Sequence, residues 1–189
     1  LTLDMPRAEQ HFTALGVKDY NTLFRSGNVS SFFKAYEVGS ITDAEFIEAL
    51  RNLSGLPLTD DDLIAAWNAM LGHFPEERIA LLNKLKNKYR LFLFSNTNAL
   101  HLTTFRNMYA DTFNGNVFDD HFEKAYYSHT LGMRKPDKES YEYIIRENNL
   151  DPSKTVFIDD SILNIEGAEA AGLKGIHIKP GISVLDIGL

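Results

Sequence analysis

From Pro75 onward, short apolar runs alternate with helical stretches, and nothing else in the chain constrains its fold as tightly. A helical pattern over residues 76–86 leads to Leu91-Leu93-Phe94 and its neighbours. Another leads to Ala125-Tyr126-Tyr127, and a third over 140–147 leads to Val156-Phe157-Ile158. Ala168 to Ala171 then lead to Ile176-His177-Ile178. Strands separated in this way by helices read as right-handed βαβ units, which stack into a parallel sheet with helices on its faces. The expected class is therefore α/β, a Rossmann-like three-layer core.

Before Pro75 every candidate element looks helical. Pro6 suits the first turn of a helix running to Leu15 and ending at Gly16. Thr42 with Glu45 reads as a capping box ahead of Phe46, Ile47, Leu50 and Leu53, with Gly55 as the stop. Thr59 followed by three aspartates repeats the device ahead of Leu63, Ile64 and Trp67. This half is expected to be a small helical cap over residues 9–73, set against a core of residues 1–8 and 74–189. Trp67, Phe32, Phe33 and Phe46 are expected to form the interior of the cap.

A hydrophobic share of 44% is enough for a sizeable core and argues against disorder. The net charge of −7, with no Lys/Arg-rich block, argues against a nucleic-acid partner. With no cysteine, disulfides and thiolate metal sites are excluded. No apolar run approaches the roughly 20 residues that cross a bilayer, and no signal segment opens the sequence. A soluble cytoplasmic protein is the default expectation.

Three strand ends carry polar chemistry. The run Thr155-Val156-Phe157-Ile158 ends in Asp159-Asp160-Ser161 before a helical stretch closed by Gly172. Ligands of open parallel sheets bind outside the carboxyl ends of the strands. Two carboxylates there repel unless a cation lies between them, and hard oxygen donors suit Mg²⁺. The plainer alternative is a pair of acids favouring a helix N-terminus. After the first strand come Ser95-Asn96-Thr97-Asn98, which read either as phosphate donors together with their backbone N–H groups or as an ordinary helix cap. After the second come Gly132-Met133-Arg134-Lys135-Pro136-Asp137, where Pro136 restrains Lys135 and Asp137 is expected to cap the next helix. A hydroxyl, an ammonium and a carboxylate pair on successive strand ends converge on one crevice.

That order resembles motifs two, three and four of the haloacid dehalogenase superfamily. Phe94-Ser95-Asn96-Thr97-Asn98, Leu131-Gly132-Met133-Arg134-Lys135-Pro136, and the stretch from Phe157-Ile158-Asp159-Asp160 to Gly167-Ala168 resemble its subgroup with a small helical cap. That subgroup includes glucose-1-phosphate phosphatases, the phosphatase-like domain of epoxide hydrolases and haloacid dehalogenases. The segment Glu37-Val38-Gly39-Ser40-Ile41-Thr42, followed by Phe46, is similar to its cap.

The family's first motif, a strand ending in an Asp-containing loop that supplies the nucleophile, has no match. Asp4 follows only Leu1-Thr2-Leu3, and the sequence is expected to begin just after that segment. The missing strand is expected to lie inside the sheet beside the one ending at Asp159.

For an intact parent, the resemblance implies Mg²⁺-dependent hydrolysis of a small phosphorylated metabolite, a sugar phosphate above all, through an aspartyl-phosphate. It implies Asp160 as direct or nearest metal ligand, Asp159 beside it in the inner or outer coordination sphere, and Ser95 as a donor to phosphoryl oxygen. The backbones of Asn96 and Thr97 assist Ser95, and Lys135 offsets shared negative charge. A sugar-phosphate mutase, a 2-haloacid dehalogenase and a catalytically dead binding protein remain as alternatives. Substrate choice is assigned to cap loops, with Arg25, Asn28 and Lys34 as candidates to face either the site or water. His73 and His101 are expected to be surface or packing residues.

Overall fold

The computed structural model describes residues 1–18, 20 and 29–188. Arg25 and Asn28 lie outside them. Among the described residues, the helices α1 (Met5–Ala14), α2 (Val29–Glu37), α3 (Asp43–Ser54) and α4 (Asp60–Asn68) come first. Their starts are chemically specified. The Thr42 hydroxyl accepts the Glu45 N–H at 3.2 Å while the Glu45 carboxylate accepts the Thr42 N–H at 2.7 Å. Thr59 and Asp62 form a second capping box, and Gly55 ends α3 in the left-handed conformation. The inward faces meet in one apolar cluster of Phe12, Tyr36, Phe46, Leu50 and Leu63. Tyr36 stacks on Phe46 at 3.9 Å and Phe33 on Trp67 at 5.3 Å, so these aromatics are interior packing, as expected. Residues 1–4 run beside 70–73, with the Thr2 N–H donating to the His73 carbonyl and the Gly72 N–H to the Thr2 carbonyl.

The second half alternates as its sequence demands: α5 (Glu76–Leu85), β1 (Phe92–Ser95), α6 (Ala99–Thr112), β2 (Lys124–Tyr127), α7 (Ser128–Leu131) and α8 (Lys138–Glu147). β3 (Val156–Asp159), α9 (Ile162–Ala170) and β4 (Lys174–His177) follow. All pairing in the strands is parallel, β1 with β2 and β3 with β4, placing Ser95 opposite Tyr127 and Asp159 opposite His177. Because side chains alternate along a strand, β1 and β2 show one face to α6 through Leu93, Ala125 and Tyr127. The opposite face, through Phe94, meets Tyr141 of α8. The result is the helix–sheet–helix layering of a Rossmann-like core.

The described strands form two pairs rather than one continuous ladder, in keeping with the expectation that an interior strand beside β3 is not among them. Among the described residues, no strand joins β1 to β3. Side chains span the interval instead. The Tyr141 ring meets Phe94 of β1 at 5.5 Å and Phe157 of β3 at 5.2 Å, edge to face in both cases.

α9 is held against the loop that carries Lys135 by close approach at Gly167. A Cβ there would lie 2.2 Å from the Pro136 carbonyl oxygen and 3.1 Å from the Tyr141 ring. Alanine is normally favoured over glycine in a helix by about 1 kcal/mol. Here the overlap is with backbone, so Gly167→Ala is expected to destabilise by roughly 1–3 kcal/mol. Urea unfolding of the variant checks the sign; a stabilised variant would mean that the loop yields freely.

Candidate active site

The C-terminal ends of β1 and β3 and the loop after α7 bring together Ser95, Lys135, Asp159 and Asp160. Lys135 is the centre of this arrangement. Its ammonium lies 2.7 Å from Asp159 Oδ2, and the two side chains are only 11% and 7% exposed. It also sits over the rings of Phe94, at 5.7 Å, and Phe157, at 5.6 Å. These are cation–π contacts, which strengthen where water is excluded. The backbone of Lys135 is clamped as well. Asn96 Oδ1 accepts its N–H and Asn96 Nδ2 donates to its carbonyl, both at 2.9 Å. The following Lys135–Pro136 peptide bond is cis.

The other carboxylate oxygen of Asp159 accepts the Ser161 N–H at 2.9 Å and the Asn164 amide at 2.8 Å. Burial alone would raise this carboxyl's pKa. The Lys135 charge and these hydrogen bonds outweigh burial and hold it below the ordinary range. One cation beside the Asp159-Asp160 pair is thus the Lys135 ammonium, on the Asp159 side. Asp159, expected in the inner or outer coordination sphere of a metal, has one oxygen bonded to Lys135 and the other to Ser161 and Asn164. Asp160 differs in every respect. It is exposed, and its carboxylate makes no hydrogen bond or ion pair with the described residues. Its backbone carbonyl is 3.1 Å from His177 Nε2 on the adjacent strand.

Ser95 closes β1 half-buried, with no hydrogen-bond partner for its hydroxyl among the described residues. Of the next two residues, expected to assist Ser95 through their backbones, Thr97 has its N–H engaged within the protein and, among the described residues, Asn96 does not. The Asn96 side chain is spent on the Lys135 clamp. The Thr97 N–H donates to Ser128 Oγ, which in turn donates to the Thr97 carbonyl, both at 3.0 Å. The Asn96 N–H is the backbone donor left beside Ser95. Asp137 stands at the N-cap of α8 but its side chain makes no capping bond; the Ser140 hydroxyl donates to its carbonyl instead.

His101 is a packing residue, stacked on Trp67 at 4.9 Å, its pKa pushed down to about 4 by burial and only partly restored by the Trp67 carbonyl. His73 is exposed and bonded to Thr2, and Lys34 is exposed on α2. Ser128 and Asn164 went unassigned from sequence. Asn164 was within reach of it, because it lies one helical turn after the strand end and faces back towards it. Nothing in the sequence marks Ser128, whose partner is 31 residues away.

This end of the sheet suits a hard divalent cation in one defined way. It offers one free carboxylate, Asp160, and the described residues contain no cluster of three or more acid or imidazole ligands. Magnesium is commonly held by one or two carboxylates, with water and substrate phosphate completing its shell. The residues present fit that mode and not an all-protein cage.

Residues 4–172 match the haloacid dehalogenase-like hydrolases. The chain belongs to this family. The HAD family enzyme of Bacteroides thetaiotaomicron, solved with magnesium and inorganic phosphate, superposes with a TM-score of 0.89 at 32% identity, covering 100% of this chain and 93% of that one. The D-ribitol-5-phosphate phosphatase of the same organism is 27% identical over 95% of this chain and 86% of its own length. A sesquiterpene phosphatase of Aspergillus oryzae is 27% identical over 90% of this chain and 82% of its own length. Among the described residues of this HAD-like hydrolase, no helix is long and apolar enough to cross a membrane.

Proposed function

We propose that this HAD-like hydrolase is a magnesium-dependent phosphatase acting on a small phosphorylated metabolite, a sugar or polyol phosphate in the first place. The observation that carries the reading is the division of labour at one end of the sheet. Ser95 is an unengaged hydroxyl, Lys135 a buried cation anchored by Asp159, and Asp160 a free carboxylate. Phosphatase relatives over nearly the whole chain support it, as does a similar enzyme solved with magnesium and phosphate. We assign residues 9–73 to a cap and residues 1–8 and 74–189 to the core. Support comes from the separate apolar cluster of α1–α4 and from the paired segments 1–4 and 70–73 at the junction.

The nucleophile in this proposal is an aspartate at the end of a strand seated between β1 and β3. One carboxylate oxygen forms a bond to phosphorus as the bond from phosphorus to the substrate oxygen breaks in line, and the departing alkoxide takes a proton from solvent water. Water then hydrolyses the acyl phosphate. Ser95 Oγ and the Asn96 N–H donate to phosphoryl oxygens. An ammonium has three donors, so Lys135 can keep Asp159 while facing the aspartate and the phosphoryl group. Asp160 would hold Mg²⁺, which when bound neutralises phosphate charge. Most of the rate enhancement in this reading is electrostatic preorganisation.

The test compares the 189-residue chain alone with the same chain preceded by an apolar strand and an Asp-containing loop. Both are assayed on polyol, sugar and isoprenoid phosphates, with EDTA as control. Hydrolysis is expected only from the second, and EDTA should abolish it. Turnover by the first would place the nucleophile within these residues. Phosphate binding without turnover by the second would make this a binding protein.

A further inference from the structure

We propose that Glu37 and Arg134 are paired positioning residues, which lock the helical unit down over the strand ends; this rests on the phosphatase reading above for its consequence, not for its geometry. Arg134 immediately precedes Lys135, and Glu37 is the last residue of α2. The Arg134 Nε donates to Glu37 Oε2 at 2.9 Å, and Nη2 lies at the same distance from the same oxygen. The pair joins positions 97 residues apart, with side chains 22% and 32% exposed.

Its neighbours identify it as the seat of the helical unit on the core. The turn after Glu37 passes so close to α7 that a Cβ on Gly39, whose φ is +68°, would lie 2.2 Å from the His129 carbonyl oxygen. One residue before Glu37, the Tyr36 hydroxyl donates to Asp43 at 2.6 Å and accepts the Leu100 N–H at 3.4 Å. Three consecutive contacts therefore tie one short segment to the elements that follow β1 and β2. Only the Glu37–Arg134 contact is ionic, and it ends on the loop that aims Lys135. The core side of that loop is fixed independently by the Asn96 clamp. Breaking the ion pair loosens this seat of the helical unit while leaving Lys135 in place.

The consequence is specific. If only a fraction of molecules is closed, apparent substrate affinity falls by that fraction, while saturating substrate restores closure. Removing either partner should raise KM with little change in kcat. The first readout needs no substrate: backbone hydrogen exchange at Val38, Gly39 and Ser40, whose N–H groups bond within this turn. Glu37→Gln and Arg134→Gln should each speed that exchange about fivefold, the scale of one partly exposed ion pair. The double variant should be no faster than either single one. Both side chains sit at the rim, so the variants should fold, and their melting temperatures verify it. Unchanged exchange in folded single variants, or additive effects in the double variant, would overturn the proposal. Faster, non-additive exchange without hydrolysis of any phosphate by any form would uphold the lock and remove the phosphatase reading. A loss confined to kcat would show that the pair does not control closure.

Discussion

Replacing Lys135 by methionine should cost about 3–5 kcal/mol of folding stability at pH 7, because it strands a buried carboxylate. Asp159 is 7% exposed in its side chain, and Lys135 is its one cationic partner among the described residues. With the ammonium gone, the Ser161 N–H and Asn164 amide remain, too few to offset desolvation in full. The pH dependence should reverse sign. In the native chain the carboxyl's pKa is depressed, so its contribution is present above the unfolded value near ~3.9. That contribution is lost as pH falls through the lower folded value. In Lys135→Met, burial dominates and raises the folded pKa above the unfolded one. The penalty is then felt at neutral pH and relieved as acid protonates Asp159. Urea unfolding from pH 7 to pH 4 measures both effects. Adding Asp159→Asn to Lys135→Met should recover much of the loss, since the pair and not the lysine alone sets the cost. A single variant as stable as the parent at pH 7 would show that water reaches Asp159 freely.

Asp160→Asn should lower magnesium-dependent hydrolysis by about 10²–10³-fold, the scale of removing one preorganised electrostatic contact. Its effect on folding should stay within about 0.5 kcal/mol, because an exposed carboxylate without a partner loses nothing as an amide. A ligand that binds only the folded state stabilises it by about 2.7 kcal/mol at one hundred times its dissociation constant. Magnesium should therefore raise the melting temperature of the parent and not that of Asp160→Asn, a readout that requires no turnover. If the shift survives in Asp160→Asn and vanishes in Asp159→Asn, the ligand is Asp159 and the assignment is reversed.

The contrast between these neighbours shows where reading by sequence stops. Side chains at successive positions of a strand point to opposite sides. Asp159, the last residue of β3, thus turns towards the Lys135 loop, and Asp160 begins the turn that leads out to solvent. The adjacency of two acids at a strand end was visible from the start. Which of them is neutralised depends on a lysine 24 residues earlier, on another loop. Asn96 and Thr97 repeat the lesson. Short polar residues after a strand suggest phosphate donors, but the Lys135 backbone takes the Asn96 side chain and Ser128 takes the Thr97 N–H, which leaves the Asn96 N–H. Donors that satisfy the protein's own loops are not free for a ligand.

What the sequence determined by itself is everything that local chemistry and periodicity specify. The capping boxes at Thr42 and Thr59 start their helices, and the stop at Gly55 ends one. The alternation after Pro75 separates a helical unit from parallel βα units, and the polar residues fall at the strand ends. Each depends on residues within a few positions of one another, where spacing alone dictates geometry. Tertiary structure alone decided the buried Lys135–Asp159 pair, the Asn96 and Ser128 clamps, and the Glu37–Arg134 contact across the two halves. Those contacts join residues 24 to 97 positions apart. Which partner each polar group finds is set by how the layers pack, because a buried donor or acceptor must be satisfied by whatever the fold brings within reach.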